Sequence, residues 1–130
     1  MKKIVLFLAF LLVVSIGGCS KNEDLSATIT QGTWRVDYFI ADGDEDTDLF
    51  NGYVFTFMAD RTVLVIRPGL PNTKGTWEES DSDTRLELNF SDTGLLRKLD
   101  ETWVVNRVLD DELRMNKLYT PSTQLRFAQR

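Results

Sequence analysis

The side chains of this sequence that could carry chemistry are one cysteine and twenty carboxylates, and histidine is absent. Without histidine, the Ser-His-Asp and Cys-His arrangements of nucleophilic enzymes are excluded, and so are most zinc sites. A single cysteine also excludes a disulfide within the chain. No Gly-x-Ser-x-Gly, phosphate-binding loop or His-Glu-x-x-His motif is present. We therefore expect no catalytic residues, no cofactor and no enzyme activity.

The densest group of carboxylates is the run from Asp42 to Asp48. Carboxylate oxygens are hard ligands that can hold Ca²⁺. An EF-hand loop that begins at Asp42 needs glycine at its sixth position and glutamate at its twelfth, but the sequence has Thr47 and Tyr53 there. We therefore interpret the run as a solvent-exposed loop and expect no metal site.

The cysteine lies at the end of an apolar N-terminal segment. Lys2 and Lys3 precede an unbroken apolar run from Ile4 to Val14, and small residues then lead to Cys19. A charged start, a short apolar run and small residues at its end are typical of a secretory signal peptide. The run is too short for a membrane-spanning helix, which needs about 20 residues. A buried helix or an N-terminal anchor is the alternative.

The residues Ile16-Gly17-Gly18-Cys19 resemble the lipobox of bacterial lipoproteins, in which an aliphatic residue and two small residues precede a lipidated cysteine. The resemblance implies that residues 1–18 are a lipoprotein signal peptide and that Cys19 carries palmitate-like acyl chains. Ser20, in place of aspartate, is similar to the pattern that sorts lipoproteins to the outer membrane. Glu23 and Asp24 resemble an export signal for the cell surface. The expected location is the outer membrane, with the membrane as a partner through Cys19; a buried structural cysteine is the alternative.

Composition limits the remaining possibilities. The formal net charge is −5, and the first residues contain the only basic run, so nucleic acid is not an expected partner. Removal of residues 1–18 would leave 112 residues with a net charge of −7. We interpret residues 19–30 as the lipidated N-terminus and a flexible tether. Residues 31–130 then form a single domain.

The apolar residues of this domain recur at a period near two, which indicates β-strands. In the first strand, from Thr33 to Ala41, the pattern places Trp34, Val36, Tyr38 and Ile40 on one face. Further strands are predicted over residues 53–58, 62–67, 75–79, 85–90, 102–109, 112–118 and 123–127. Turn-forming residues separate the strands at the spacing of an antiparallel meander, about ten residues. These turns are Asp42-Gly43-Asp44, Asn51-Gly52, Ala59-Asp60-Arg61, Pro68-Gly69, Asp81-Ser82-Asp83 and Asp110-Asp111.

One segment has helical spacing instead. Leu95, Leu96 and Leu99 lie on one face of a short helix or turn predicted over Asp92 to Asp100, with Ser91 or Asp92 as its N-cap. The predicted fold class is therefore all-β with one short helix. About eight strands can close into a small antiparallel up-and-down β-barrel, which removes their exposed edges. An open sandwich is the alternative.

Several short motifs occur in an order that resembles the order found in one protein family. Gly32-Thr33-Trp34 resembles the Gly-x-Trp signature of lipocalins. An aromatic strand that leads to the turn Asp60-Arg61-Thr62, a second Gly-x-Trp at Gly75-Thr76-Trp77 and the strand residues Leu86-Glu87-Leu88 follow it. This order is similar to that of the lipocalin-like lipoproteins of Bacteroidetes-type bacteria, and the resemblance covers residues 30–127.

The resemblance implies a lipocalin-like barrel in which Trp34 plugs one end. It further implies that an arginine of the last strand, Arg126 or Arg130, packs over Trp34 in a cation–π contact. We expect seven aromatic side chains to point into the barrel and line any ligand site: Trp34, Phe55, Phe57, Trp77, Phe90, Trp103 and Phe127.

Seven large side chains nearly fill an eight-stranded barrel, so we expect a shallow cavity. Its opening should lie away from Trp34, near the loops at residues 42–51 and 68–72. The leading hypothesis is a lipid-anchored binding domain for a small apolar ligand or a protein partner. The alternative is a structural or protein-interaction lipoprotein with a filled barrel and no ligand.

The lipobox makes a direct prediction. Replacing Cys19→Ser should abolish lipidation and lipoprotein-type cleavage, because the serine hydroxyl cannot replace the thiol that receives the lipid. Labelling cells with a fatty-acid analogue and fractionating them measures both effects. Equal lipid labelling of the wild type and the variant would contradict the assignment of Cys19.

Overall fold

The structure is a computed structural model that describes residues 24–91 and 94–130. The predicted signal peptide and Cys19 lie outside the described residues, as does Asp92. The described chain contains helix α1 (Leu25–Ile29) and two 3₁₀ helices, Thr47–Phe50 and Leu95–Leu99. Its strands are β1 (Trp34–Ala41), β2 (Asp44–Glu45), β3 (Val54–Phe57), β4 (Thr62–Ile66), β5 (Thr73–Ser80), β6 (Arg85–Phe90), β7 (Glu101–Leu109), β8 (Glu112–Lys117) and β9 (Gln124–Gln129).

The strands form one closed antiparallel barrel. From β3 to β9 each strand pairs with the next, and β9 returns to pair with β1, from Trp34 opposite Gln129 to Ile40 opposite Gln124. The weakest seam joins β1 to β3 through Trp34 and Phe55 alone. The two-residue strand β2 pairs only with the end of β1. The predicted barrel of eight strands is therefore confirmed.

The motif Asp60-Arg61-Thr62 forms the turn between β3 and β4. The Asp60 carboxylate accepts hydrogen bonds from both the hydroxyl and the backbone N–H of Thr62, and these bonds hold the pKa of Asp60 below its ordinary range. Arg61 adopts a φ of 72°, in the left-handed region that turns of this kind require. In this turn the Asp60 carboxylate accepts the Thr62 N–H bond that a backbone carbonyl would otherwise accept.

The two Gly-x-Trp motifs need glycine for different reasons. Gly32 has a φ of 65°, which turns the chain from α1 into β1. Gly75 lies under Phe90, because a Cβ atom there would come within 2.6 Å of the Phe90 ring and 2.7 Å of the Asn89 carbonyl oxygen. The first glycine supplies a backbone conformation, and the second makes room for an aromatic ring.

A β-bulge in β1 changes which of its residues point into the barrel. The register with β9 shifts between Val36 and Tyr38, so that the extra residue, Asp37, reverses the side-chain alternation beyond it. Phe39 is consequently buried, whereas Tyr38 and Ile40 are only half-buried. The prediction that Tyr38 and Ile40 share a face with Trp34 is wrong for this reason.

The barrel interior is filled by aromatic rings. Each of the seven residues predicted to point inward is at most 1% exposed. Five of the seven rings form a continuous series of edge-to-face contacts from Phe90 through Phe55, Phe127 and Phe57 to Trp77, with centroid separations of 5.2 to 6.3 Å. Such contacts add to the stabilisation from burial. No open calyx is left between these rings.

The segment before β1 differs from the predicted flexible tether. Residues 25–29 form α1, whose N-cap Asp24 accepts a hydrogen bond from the Ala27 N–H. Leu25 and Ile29 are fully buried at the Trp34 end of the barrel. Residues 25–29 therefore pack against the barrel rather than form part of a flexible tether, because two apolar side chains one helical turn apart bury themselves in the core. We call this end, closed by α1, the proximal end.

Both 3₁₀ helices lie at the opposite end, which we call the distal end. The first buries Phe50 against Phe39, with ring centroids 5.2 Å apart. The second buries Leu96 and Leu99, as their spacing predicts. Its first residue is Leu95, with Gly94 at the N-cap position. The opening that we expected at this end of the barrel is therefore narrowed by the buried apolar side chains of the two 3₁₀ helices.

The burial of Trp34 predicts its contribution to stability. Replacing Trp34→Ala should lower the free energy of unfolding by about 3–5 kcal/mol, the range for removal of a large buried aromatic side chain. Urea unfolding of residues 20–130, which contain every described element, measures this loss. Trp34→Phe is the control and should cost less, because it keeps an aromatic ring and loses mainly the indole hydrogen bond. An unchanged midpoint for Trp34→Ala would contradict the role of Trp34 as a plug.

Candidate functional site

Three surface depressions of about 730, 610 and 540 Å³ lie outside the filled core. The largest of the three, the distal depression, opens at the distal end between the start of β7, the end of β8 and the connection from β8 to β9. Its lining combines apolar, hydroxyl and charged side chains from these segments and from β1 and the second 3₁₀ helix. The lining residues are Phe39, Ala41, Asp42, Lys98, Glu101, Thr102, Lys117, Tyr119, Thr120 and Thr123.

Lys117 is the most enclosed charge of the distal depression. Its side chain is only 15% exposed, and Nζ lies 5.5 Å from the centroid of the Trp103 ring. The nearest carboxylate oxygen is Oε2 of Glu101 at 3.8 Å, which is beyond hydrogen-bonding distance. Among residues 24–91 and 94–130, the three N–H donors of this ammonium group have no hydrogen-bond acceptor. Lys117 is therefore held in place by packing against Trp103, and it lines the depression.

Glu101 combines exposure with backbone strain. Its φ is 92°, in the left-handed region that residues with a Cβ atom rarely adopt, at the point where the chain enters β7. Conformations of this kind cost about 1–3 kcal/mol and are found preferentially at functional sites. Its side chain is 62% exposed, so neither burial nor an ion pair of short distance repays the strain.

Tyr119 stands on a rigid turn at the edge of the distal depression. The side chain is 85% exposed, although Thr123 beside it is buried. The Lys117 N–H donates to the Thr123 carbonyl at 3.0 Å, and the Thr123 N–H donates to the Thr120 carbonyl at 2.9 Å. These bonds fix the backbone that presents the exposed ring.

Exposed apolar side chains are concentrated at the same end. Among the described residues, four large apolar side chains are exposed, and all four lie on distal segments: Leu49, Ile66, Leu70 and Tyr119. Scattered single apolar residues are normal on a protein surface, but a group confined to one end is typical of an interaction site.

The second depression lies on the outer wall formed by β1, β8 and β9, and its charges are already paired. Arg126 donates to Asp37 at 2.7 Å and lies 5.5 Å from the Tyr38 ring centroid. Glu112 accepts from Arg114 at 3.1 Å. Burial alone would raise the pKa of Asp37, but the hydrogen bonds and charges of its arginine neighbours outweigh it and hold this pKa below its ordinary value. The charged side chains of this wall are thus largely paired with one another.

These contacts correct the expected stacking on Trp34. Within the described part of the chain, Arg126 lies over Tyr38 instead, and the Arg130 backbone N–H donates to the Thr33 carbonyl. Trp34 is fully buried and donates its indole N–H to the Ile29 carbonyl at 2.9 Å. Because α1 covers Trp34, no arginine is needed to seal it.

A group of three carboxylates lies at the proximal end, beside the third depression. Oxygens of Asp24, Glu79 and Asp83 lie within 4.8 Å of one another. Burial, followed by the hydrogen bond and charge of Asp83, raises the pKa of Glu79, whereas Arg61 and Ser26 oppose the shift. Arg61 lies 3.2 Å from Glu79. The acidic run 42–48, considered above for Ca²⁺, forms no comparable group among the described residues.

The architecture of the barrel defines the fold class. The closed antiparallel barrel, with its Gly-x-Trp start and an N-terminal helix over one end, is lipocalin-like. No protein-family model matches the sequence, and no curated protein sequence matches it significantly. Within the described residues, no helix is long and apolar enough to cross a membrane.

Solved structures show the same fold. A DUF4847 family protein from Bacteroides vulgatus ATCC 8482 superposes with a TM-score of 0.61 at 18% identity, covering 81% of this chain and 96% of that one. A lipocalin-like protein from Bacteroides uniformis ATCC 8492 gives 0.58 at 14% identity, with coverages of 78% and 99%. An uncharacterized protein from Bacteroides eggerthii DSM 20697 gives 0.54 at 13%, with coverages of 76% and 98%. At these identities the likeness establishes the fold alone.

Sequence reasoning selected the interior aromatics and missed the residues of the distal depression. Lys117 and Glu101 lie on neighbouring strand ends, where no periodicity distinguishes them from other surface charges. Tyr119 carried one signal that could have been used, since it is an aromatic residue directly before Thr-Pro in a turn. Aromatic residues in turns are exposed unless a neighbouring segment covers them.

The raised pKa of Glu79 predicts a pH dependence of stability. Since its pKa in the folded state lies above the ordinary 4.5, its contribution to stability is complete below that pH and is lost as the pH rises through the folded-state pKa. Glu79→Gln should therefore raise stability at pH 7 and flatten this part of the profile. Urea unfolding between pH 4 and pH 8 is the measurement.

The exposed neighbour on the same strand provides the matched control, Glu78→Gln, which should leave the profile as in the wild type. The lowered pKa values of Asp37 and Asp60 act in a different window, because their contributions are lost only as the pH falls below the ordinary 3.8. A wild-type profile that is flat above pH 4.5, or a Glu79→Gln variant less stable at pH 7, would refute this account.

Proposed function

We propose that this protein is a lipid-anchored protein of the bacterial cell envelope that binds a small polar ligand at the distal end of its barrel. The lipobox and signal-peptide patterns support the anchor, and the lipocalin-like fold supports a binding role. We choose the distal end because the barrel interior is filled by aromatic rings, whereas the distal end has an open depression. There the depression of about 730 Å³ includes the exposed Tyr119 in its lining.

The filled interior argues against an apolar ligand inside the barrel. The edge-to-face series of rings occupies the space that a calyx would need, and interiors at this packing density do not open without loss of contacts. A ligand of ordinary size needs a cavity of roughly 300 Å³ or more. The distal depression offers that volume without displacing any core side chain.

The proposed anchor would also orient the barrel. Four residues lie between Cys19 and Asp24, the N-cap of α1, so the two Cα atoms are at most about 18 Å apart when this segment is extended. A lipid on Cys19 would therefore keep the proximal end close to the membrane. The distal end would then face away from the membrane, where a soluble ligand can reach it.

A protein partner is the second candidate, and one observation favours it. Leu49 and Leu70 are about half exposed at the distal end but do not line the distal depression. Apolar side chains beside a pocket are typical of the core of a protein interface. In this alternative, the filled barrel binds no small ligand, and the protein partner binds its distal surface.

A fragment screen by ¹⁵N-resolved NMR tests the proposed site. We expect amide shifts on residues 20–130 to cluster at Thr102, Lys117 and Tyr119 for a mixed set of acids, amines and polyols. A fluorescent fatty acid should give no saturable quenching of tryptophan at sub-micromolar concentration. Fragment shifts confined to the outer wall at Tyr38 and Arg126, or tight fatty-acid binding, would refute the proposal, and the absence of all small-molecule shifts would favour the protein partner.

A further inference from the structure

We propose, building on the function proposed above, that the distal depression is a saccharide site that recognises a neutral sugar. A hydroxyl of the sugar would bridge Lys117 and Glu101, and a C–H face of the sugar would stack on Tyr119. Three independent features lead to this ligand class: the gap between the two charges, the exposed ring, and the balance of charge in the lining.

The gap between Lys117 and Glu101 fits a hydroxyl group. At 3.8 Å the ammonium and carboxylate attract each other without forming a hydrogen bond, so each keeps hydrogen-bonding capacity. A hydroxyl donates one hydrogen bond and accepts others, which lets it bond to a carboxylate and an ammonium together. The hydroxyls of Thr102 and Thr120 add partners of the same dual kind around the depression.

Tyr119 supplies the apolar part of the recognition. Its ring is 85% exposed on a turn whose backbone is fixed by hydrogen bonds, so it is presented at little further entropic cost. A pyranose ring has faces made of C–H groups, and the negative face of an aromatic ring attracts such groups. The ring thus provides a stacking platform beside the polar pair.

Charge balance separates a neutral sugar from charged ligands. The lining contains two lysines, Lys98 and Lys117, and two carboxylates, Asp42 and Glu101. An anion would meet both carboxylates and approach a chain of formal charge −5, whereas a cation would meet the ammonium groups of both lysines. A neutral polyol can use all four groups without like-charge repulsion.

The strained backbone of Glu101 supports a role for its carboxylate. A residue with a φ of 92° would be more stable as glycine, so a side chain kept there is held against a cost in stability. Glu101→Gly should therefore separate stability from binding. The variant relieves the strain and removes the carboxylate that the sugar would use.

Saturation-transfer NMR and calorimetry on residues 20–130 test the proposal. The probes are maltose, cellobiose, lactose, xylobiose, mannobiose and chitobiose, with benzoate and octyl phosphate as anionic comparisons. We expect at least one disaccharide to bind. Tyr119→Ala should weaken that binding about fivefold to tenfold, as loss of one stacking contact predicts, with an unchanged urea midpoint because the side chain is exposed. Leu70→Ala, an exposed distal control outside the depression, should leave binding unchanged.

Two Glu101 variants complete the test. Glu101→Gly should weaken saccharide binding while raising the urea midpoint, and Glu101→Gln should retain most of the binding because the amide still accepts and donates. Tighter binding of benzoate or octyl phosphate to Glu101→Gln, without saccharide binding, would overturn the proposal in favour of an anion. Fragment shifts at the depression with no bound disaccharide would refute the saccharide and leave the site intact, whereas absence of both would refute the site as well.

Discussion

The three tryptophans of this barrel each bond the core to a segment that closes one of its ends. Their indole N–H groups donate at 2.9 Å to backbone carbonyls: Trp34 to Ile29 in α1, Trp77 to Met58 in the turn after β3, and Trp103 to Leu99 in the second 3₁₀ helix. A buried N–H without a partner is costly, so each ring can be buried only if its closing segment is in place. The core and the ends of the barrel are therefore stabilised together.

This coupling explains why the lipocalin-like fold is present here without a calyx. Rings that fill the interior and closing segments that depend on those rings leave no apolar volume for a ligand. The groups that could bind a ligand consequently lie outside the core. The proximal end carries the carboxylates around Glu79, whereas the distal end carries both charges and exposed apolar side chains.

The sequence predicted those features that local patterns encode. The period of two, the turn residues and the Gly-x-Trp motifs gave the strands, their order and the inward aromatics. The sequence did not predict the features that depend on contacts between segments far apart in the chain. The bulge at Asp37 depends on pairing with β9, far along the chain, and a helix of five residues such as α1 is stable only through burial of Leu25 and Ile29. The distal depression likewise combines residues whose spacing has no period.

Trp103 links the closed core to the distal depression. Its indole N–H fixes the Leu99 carbonyl, the Phe90 N–H donates to the Asp100 carboxylate at 2.6 Å, and β7 starts immediately afterwards. The chain must therefore turn from the 3₁₀ helix into the strand within one residue, and Glu101 adopts the left-handed conformation that this turn requires. The same Trp103 ring lies beneath Lys117. Because one buried ring positions both members of the charged pair, the geometry at the mouth of the barrel is set by the packing of its interior.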